Sequence, residues 1–383
     1  MSFSELGLSA PLCASLAQKG YATPTPVQSA SVPLVLNGVD VLARAQTGTG
    51  KTAAFALPMI ERLIVRSQRP STRRPRGLVL VPTRELAEQV YRAFATYGAA
   101  VHVRVTQLTG GVAMGGQLRA LRSGTDIVVA TPGRLLDHLE RRTIDLSGIE
   151  MLTLDEGDRM LDMGFLPPLR RVLAALPRTR QTLLFSATMS PAVIKLAAEF
   201  TRDAQRVDVT NGDVVAATVT HRMHRVAQDR KRELLLRVLS EAPRTQALVF
   251  CKTKRGADRI GACLAGAGLH TAIIHGNKAQ AARTRSLSDF KAGRVRILVA
   301  TDVAARGLDI AQLPLVVNYD MPMVATDYIH RVGRTGRAGE AGKAISLVTA
   351  ADRPLLQQIQ RLLPSALEFS GEAGERAGQA FRA

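Results

Sequence analysis

The sequence predicts two tandem α/β domains, each a parallel sheet covered by helices, and three observations lead there. The chain has 383 residues with 46% hydrophobic content, enough for two domains that each bury a core of their own. Short apolar runs rich in Val, Leu and Ile recur along it without alternating polar residues, the pattern of strands buried on both faces of a sheet. The segments between the runs are long enough for the crossover helices that parallel neighbours require.

Taken in order, the first series of runs is GLVLV (77–81), DIVVA (126–130), MLTL (151–154) and TLLF (182–185). The second is ALVF (247–250), TAIIH (271–275), RILVA (296–300), PLVVNY (314–319) and KAISLV (343–348). Between them RVDVTNGDVVAATVT (206–220) carries an Asn-Gly turn signal and no helical periodicity, so the linker is expected at 206–217. That makes 1–205 the first domain and 218–367 the second. Residues 368–383, rich in Gly and Ala, read as a short flexible tail. The halves suggest one repeated architecture, although no sequence identity between them is visible.

A net charge of +19 favours a polyanionic partner. Aromatic content of 4%, with no Trp, argues against an RNA-binding sheet of exposed stacking rings. Cys13, Cys251 and Cys263 form neither a metal-ligand spacing nor an even framework and read as buried thiols in a reducing compartment. The N-terminus lacks a basic region and carries Glu5, unlike a signal peptide. No apolar run reaches the roughly 18 residues a membrane span needs. A cytoplasmic protein with no membrane partner is expected.

The polar motifs follow the strand runs: PTRE after GLVLV, TPGR after DIVVA, DEGD after MLTL, SAT after TLLF, TD after RILVA. In open α/β sheets ligands bind at the carboxyl ends of the strands, so each sheet should present a polar rim, and a ligand held between the two rims would couple the domains. Ala45-Gln46-Thr47-Gly48-Thr49-Gly50-Lys51-Thr52 is a P-loop in which Ala replaces the first Gly. Its small residues let successive N–H groups face phosphate ahead of a helix N-terminus; Lys51 would reach the β- and γ-phosphates and Thr52 would bind Mg²⁺. Asp155-Glu156-Gly157-Asp158 ends a buried strand, with Asp155 assigned to the metal and Glu156 to the attacking water. His330-Arg331-Val332-Gly333-Arg334-Thr335-Gly336-Arg337 offers arginines for the charge of a phosphoryl-transfer transition state.

Together these residues resemble the DEAD-box RNA helicases of superfamily 2, from Phe3 to about Leu347 and in family order. The resemblance implies tandem RecA-like domains with ATP and RNA bound at the interdomain cleft. It implies ATP as nucleotide, through Phe3, Tyr21 packing on the base, and Gln28 bonding the adenine edge. Asp309, within Ala300–Asp309, would touch the ribose, and Arg334 and Arg337 match the arginine fingers. Asp158, Ser186, Thr188 and His330 would couple ATP state to closure. Arg84, Gly111, Thr131 and Arg134 in the first domain, and Gln280, Arg283, Thr301 and Gly307 in the second, would hold the RNA backbone. Such contacts position a strand without reading its bases. About six phosphate contacts on one strand imply a log–log salt slope near −4.

The family's third motif residue is Ala where this chain has Gly157, giving DEGD. A looser loop with the chemistry intact is expected, the alternative being an ATP-gated RNA clamp or scaffold with weak hydrolysis. The overall pattern is most similar to the bacterial RhlE-like branch. The implied activity is RNA-stimulated ATP hydrolysis driving local opening of short duplexes or remodelling of RNA–protein complexes, by a monomer, with ribosome-assembly or RNA-decay factors as candidate partners. A DNA translocase fits less well, because the adenine-reading segment is present.

Overall fold

Every apolar run singled out in the sequence forms a strand. The computed structural model describes residues 1–46, 48–65, 73–209, 219–243, 245–305, 310, 312–336, 342–363 and 367–370. The chain divides into two compact units, 1–210 and 211–383. The first holds β1 (Val41–Arg44), β2 (Gly77–Leu80), β3 (Val105–Leu108), β4 (Ile127–Ala130), β5 (Met151–Asp155), β6 (Gln181–Ser186) and β7 (Gln205–Asp208). The second holds β8 (Val219–Arg225), β9 (Ala247–Cys251), β10 (Thr271–Ile274), β11 (Ile297–Thr301), β12 (Leu315–Asn318), β13 (Gly342–Val348) and β14 (Glu368–Ser370).

The first sheet runs β3-β4-β2-β5-β6-β1-β7 and the second β10-β11-β9-β12-β13-β8-β14. Adding seven to each label of the first order gives the second, so the units share one topology despite their dissimilar sequences. All strand pairs are parallel. Parallel sheets need cover on both faces, and alternate residues supply it. In the first unit Val79, Val129, Leu183 and Phe185 face one core, where Phe55 packs on Phe185 with centroids 5.3 Å apart. Leu78, Leu80, Leu154 and Leu184 face the other. In the second unit Val249 and Cys251 point one way, Leu248 and Phe250 the other.

The post-strand motifs also start the crossover helices. The Thr83 hydroxyl accepts from Leu86 N at 3.3 Å and caps Arg84–Gly98; the Thr253 hydroxyl accepts from Gly256 N at 2.9 Å and caps Lys254–Gly266. At these two points the chain turns off a strand and satisfies a helix N-terminus together.

Two boundaries differ from expectation. The linker expected from 206 begins later, because β7 pairs with β1 and takes Arg206, Val207 and Asp208 into the first sheet. Only Val207 of that strand is buried, so an edge strand read as linker composition. The tail expected from 368 likewise starts with β14, which pairs with β8 and sets Phe369 under the Arg225 guanidinium at 4.7 Å. The remaining linker positions 210–217 and tail positions 371–383 lie outside the described residues. No helix among the described residues is long and apolar enough to cross a membrane.

Candidate functional site

The phosphate loop begins where β1 ends. Ala45 N donates to Ser186 O at 3.0 Å, tying the loop to the end of β6. Gly48 and Gly50 take φ of 89° and 92°, and the Thr49 hydroxyl donates back to Gln46 O at 2.7 Å. Gly50 is irreplaceable on two counts: left-handed backbone, and a Cβ that would strike the Gln28 amide. Thr47 lies outside the described residues. The Gln28 amide accepts from Thr25 N at 3.0 Å and donates to Gly50 O at 3.1 Å, which uses half of its hydrogen-bonding capacity. It therefore senses the loop's conformation directly. Phe3 is a core residue, 5% exposed, that anchors the N-terminal segment rather than presenting a ring to solvent. Tyr21 is 45% exposed and braced edge-on by Tyr97 at 6.2 Å.

Beyond the loop the Lys51–Val65 helix carries Lys51 into a buried position, 6% exposed, and Thr52 beside it. The Lys51 Nζ is shielded from solvent and has no hydrogen-bond partner among the described residues. A buried ammonium without acceptors is costly, so the site is built for an anion that is not part of the chain. Asp155 closes β5 and is fully buried. Burial pushes its carboxyl up, the Lys51 charge pulls it down, and Glu156 and Asp158 push it up again, to about 6. A divalent cation beside Asp155 and Thr52 would favour the carboxylate. The donor set fits a polyphosphate with a hard cation.

Glu156 adopts left-handed backbone, φ 57° and ψ 53°, which costs a non-glycine residue roughly 1–2 kcal/mol. Arg159 Nη1 grips the Glu156 Oε2 at 2.7 Å. Both side chains are largely buried. Asp158 faces the other way: its Oδ2 accepts from Thr188 N at 2.9 Å and the Thr188 hydroxyl at 3.0 Å, while its N donates to the Ser186 hydroxyl at 3.2 Å. Three of the expected coupling residues are therefore joined. His330 belongs to the second unit, half-buried in the last turn of Ala325–Val332.

Gly157 opens the helix Gly157–Asp162. A Cβ there would lie 3.2 Å from Leu184 Cδ2 and 3.8 Å from Leu196 Cδ2. Gly157→Ala is expected to stabilise the chain by about 0.5–1 kcal/mol, by lowering unfolded-state entropy and adding apolar contact. Urea unfolding measures this; a lower midpoint would mean Leu184 cannot yield the few tenths of an ångström required.

The expected RNA residues of the first unit converge. Arg84 lies over Gly110 and Gly111, where Gly111 has φ of 74° and any side chain would run into the guanidinium. Arg134 Nη1 donates to Val112 O at 3.1 Å, and Thr131, just ahead of the helix Pro132–Glu140, donates its N to Leu108 O at 3.1 Å. In the second unit Gln280 and Arg283 share the first turn of Gln280–Lys291, and Thr301 ends β11. Gly307, Asp309 and Arg337 lie outside the described residues.

The arginines at 331–337 divide in role. Arg331 is buried; it forks onto Asp302 at 2.6 and 2.7 Å and donates to Asn318 Oδ1 and Asp320 O. Its guanidinium stacks 4.8 Å from the Phe250 centroid. With those bonds made, it is a structural clasp, and the sequence expectation of phosphate-directed arginines narrows to Arg334 and Arg337. Arg331→Ala leaves the partly buried Asp302 without its partner and is expected to cost about 3 kcal/mol, read as a drop in the second unit's unfolding midpoint. Sequence reasoning missed Arg159 and the Arg331 clasp. Arg159 was findable from its three-residue helical spacing to Glu156; the Asp302 partner was not, being 29 residues distant.

Two family models match the chain: DEAD/DEAH box helicase over residues 25–196, and Helicase conserved C-terminal domain over residues 230–339. Its curated relatives include the ATP-dependent RNA helicase DeaD of Escherichia coli, 45% identical over 363 residues, or 94% of this chain and 57% of the relative. DeaD of Mycobacterium tuberculosis is 43% identical over 361 residues, 94% of this chain and 63% of the relative. The chain thus spans little more than half the length of these relatives. Among solved structures it is similar to S. cerevisiae Dbp5 bound to RNA and ADP BeF3, with 30% identity, a TM-score of 0.86, and coverage of 97% of this chain and 95% of that one. A DEAD box protein from Methanococcus jannaschii is 36% identical, with a TM-score of 0.54 and coverage of 97% and 99%.

Proposed function

The chain belongs to the DEAD/DEAH box helicase family, and we propose that it is an ATP-dependent RNA helicase whose RNA-stimulated hydrolysis opens short duplexes or remodels RNA–protein complexes. The observation that carries this is the buried Lys51 ammonium, without a hydrogen-bond partner among the described residues, whose charge acts on Asp155 beside the two left-handed glycines of the loop.

Lys51 and the loop N–H groups hold the β- and γ-phosphates, and Gln28 and Tyr21 hold the base. Mg²⁺ bound by Thr52 and Asp155 would neutralise charge on the transferred phosphoryl group. Glu156, aimed by Arg159, orients the attacking water and takes its proton. Arg334 and Arg337 stabilise the charge that develops on the leaving oxygens, so hydrolysis requires the second unit to engage a nucleotide held by the first. The Asp158–Ser186–Thr188 cluster and His330 make that engagement sensitive to the nucleotide. Arg84, Gly111, Thr131, Arg134, Gln280, Arg283 and Thr301 hold the strand through phosphate and sugar, and 2′-hydroxyl contacts select RNA over DNA.

The test is phosphate release from ATP at low salt, alone, with single-stranded RNA, and with the same sequence as DNA. Stimulation by RNA and not by DNA is expected. Equal stimulation by both would favour a translocase on DNA. ATP-dependent retention of RNA without hydrolysis would favour the clamp reading.

A further inference from the structure

The RNA-contact loop Thr109–Val112, between β3 and the helix Met114–Arg122, holds two consecutive glycines and cannot order itself through its own side chains. Arg84 lies over its glycines, and its two ends are tied back to the helix Pro132–Glu140. Arg134 takes the far end at Val112 O. His138, one turn further along the same helix face, reaches the near end through Gln117. We propose that His138 is a positioning residue for RNA binding, which sets the Gly110–Gly111 loop through a buried chain of hydrogen bonds ending on Thr109 O.

The chain has one consistent direction. Gln117 Nε2 donates to Thr109 O at 3.1 Å, so its Oε1 must be the atom facing His138 Nε2 at 3.2 Å. An amide oxygen only accepts, so Nε2 carries the imidazole proton. His138 is 0% exposed, and burial, reinforced by the Arg134 charge, pushes its pKa down, so the ring is neutral and Nδ1 is an acceptor. The Thr143 hydroxyl, 2.8 Å away, supplies the donor. The same hydroxyl also donates to the His138 carbonyl at 3.0 Å, beside the bond from Thr143 N to that oxygen, so its one proton is shared between Nδ1 and the carbonyl. The order that is fixed runs from His138 to Gln117 to Thr109, each donor pointing towards the loop, an arrangement in which successive bonds polarise one another. Neither His138 nor Gln117 is exposed to meet RNA itself. The loop lies at the β3–β4 edge, separated in sheet order from the phosphate loop after β1 by β2, β5 and β6.

The inference rests on the reading that this loop contacts RNA. The experiment therefore measures RNA affinity by fluorescence anisotropy in the presence of a non-hydrolysable ATP analogue, and ATP turnover as a function of RNA. In His138→Leu, which keeps apolar bulk but removes the donor, RNA Kd and the RNA concentration for half-stimulation should rise about tenfold, the scale of one unsatisfied buried polar group. Turnover at saturating RNA and without RNA should stay within about twofold. His138→Gln, whose amide N–H reaches the Nε2 position, should return RNA affinity to within about threefold of the parent. Parental affinity in His138→Leu, or no rescue by Gln, overturns the proposal, as does an equal fall in RNA-free turnover. If His138→Leu does not fold, Gln117→Met interrupts the same chain: the same weakening supports the proposal and unchanged affinity overturns it. A parent protein that neither binds RNA nor responds to it would instead refute the function proposed above.

Discussion

Glu156→Gln is expected to lower RNA-stimulated ATP turnover by about 10²–10⁴, or roughly 3–5 kcal/mol of transition-state stabilisation, while leaving ATP and RNA binding close to parental. Glutamine has the shape of glutamate, keeps an oxygen for Arg159 Nη1, and cannot accept the proton of the attacking water. The left-handed backbone at 156 is held by its neighbours and survives the exchange, since Asp155 Oδ1 accepts Glu156 N at 3.0 Å and Asp158 is bonded to Thr188. Binding should persist because Lys51, Thr52 and Asp155 are untouched. Single-turnover hydrolysis separates chemistry from product release, and analogue titration gives binding. Turnover within about threefold of the parent would remove Glu156 from the water-activating role. A loss of ATP affinity equal to the loss of rate would assign it to binding instead.

The same residues show what a sequence reveals and what it hides. Strands buried on both faces were legible because each carries an unbroken apolar stretch: β2, β4, β5 and β6 of the first unit are buried throughout, with polar residues at Thr153 and towards the strand ends. Strands with one covered face escaped, because β3 and β8 alternate between buried and accessible residues and β7 and β14 expose most of theirs. β1 is only four residues long, and its VLAR reads as the lead-in to the phosphate loop. Motifs that act through backbone shape, such as Gly48 and Gly50, could be read because their chemistry is local. Partnerships across the fold could not: Arg331 with Asp302 spans 29 residues, and His138 with Gln117 joins two helices across 21 residues through one side chain. Residue type gave no warning that Arg331 would be consumed internally while Arg334, three positions on, would remain the candidate for phosphate.

That distinction makes Arg334→Ala the most severe change expected in the second unit, with turnover down by about 10³–10⁵, equivalent to roughly 4–7 kcal/mol. The residue sits in a turn fixed from several sides. Its carbonyl accepts from Leu313 N at 3.0 Å, its N donates to Arg331 O at 3.2 Å, and the Thr335 hydroxyl donates to Leu313 O. Arg331 locks the preceding helix to Asp302 at the end of β11, so the turn that presents Arg334 is ordered independently of its side chain. RNA affinity of the first-unit loops and ATP binding at Lys51 should therefore survive, and the deficit should fall on the chemical step alone. Arg334→Lys discriminates further: a point charge on a flexible stem cannot reproduce a planar fork, so it should recover no more than about a tenth of the parental rate. Full recovery with Lys would mean that charge suffices and bidentate geometry does not matter. Parental turnover in Arg334→Ala would confine catalysis to the first unit, and with it would go the requirement that hydrolysis draw the two units onto one nucleotide.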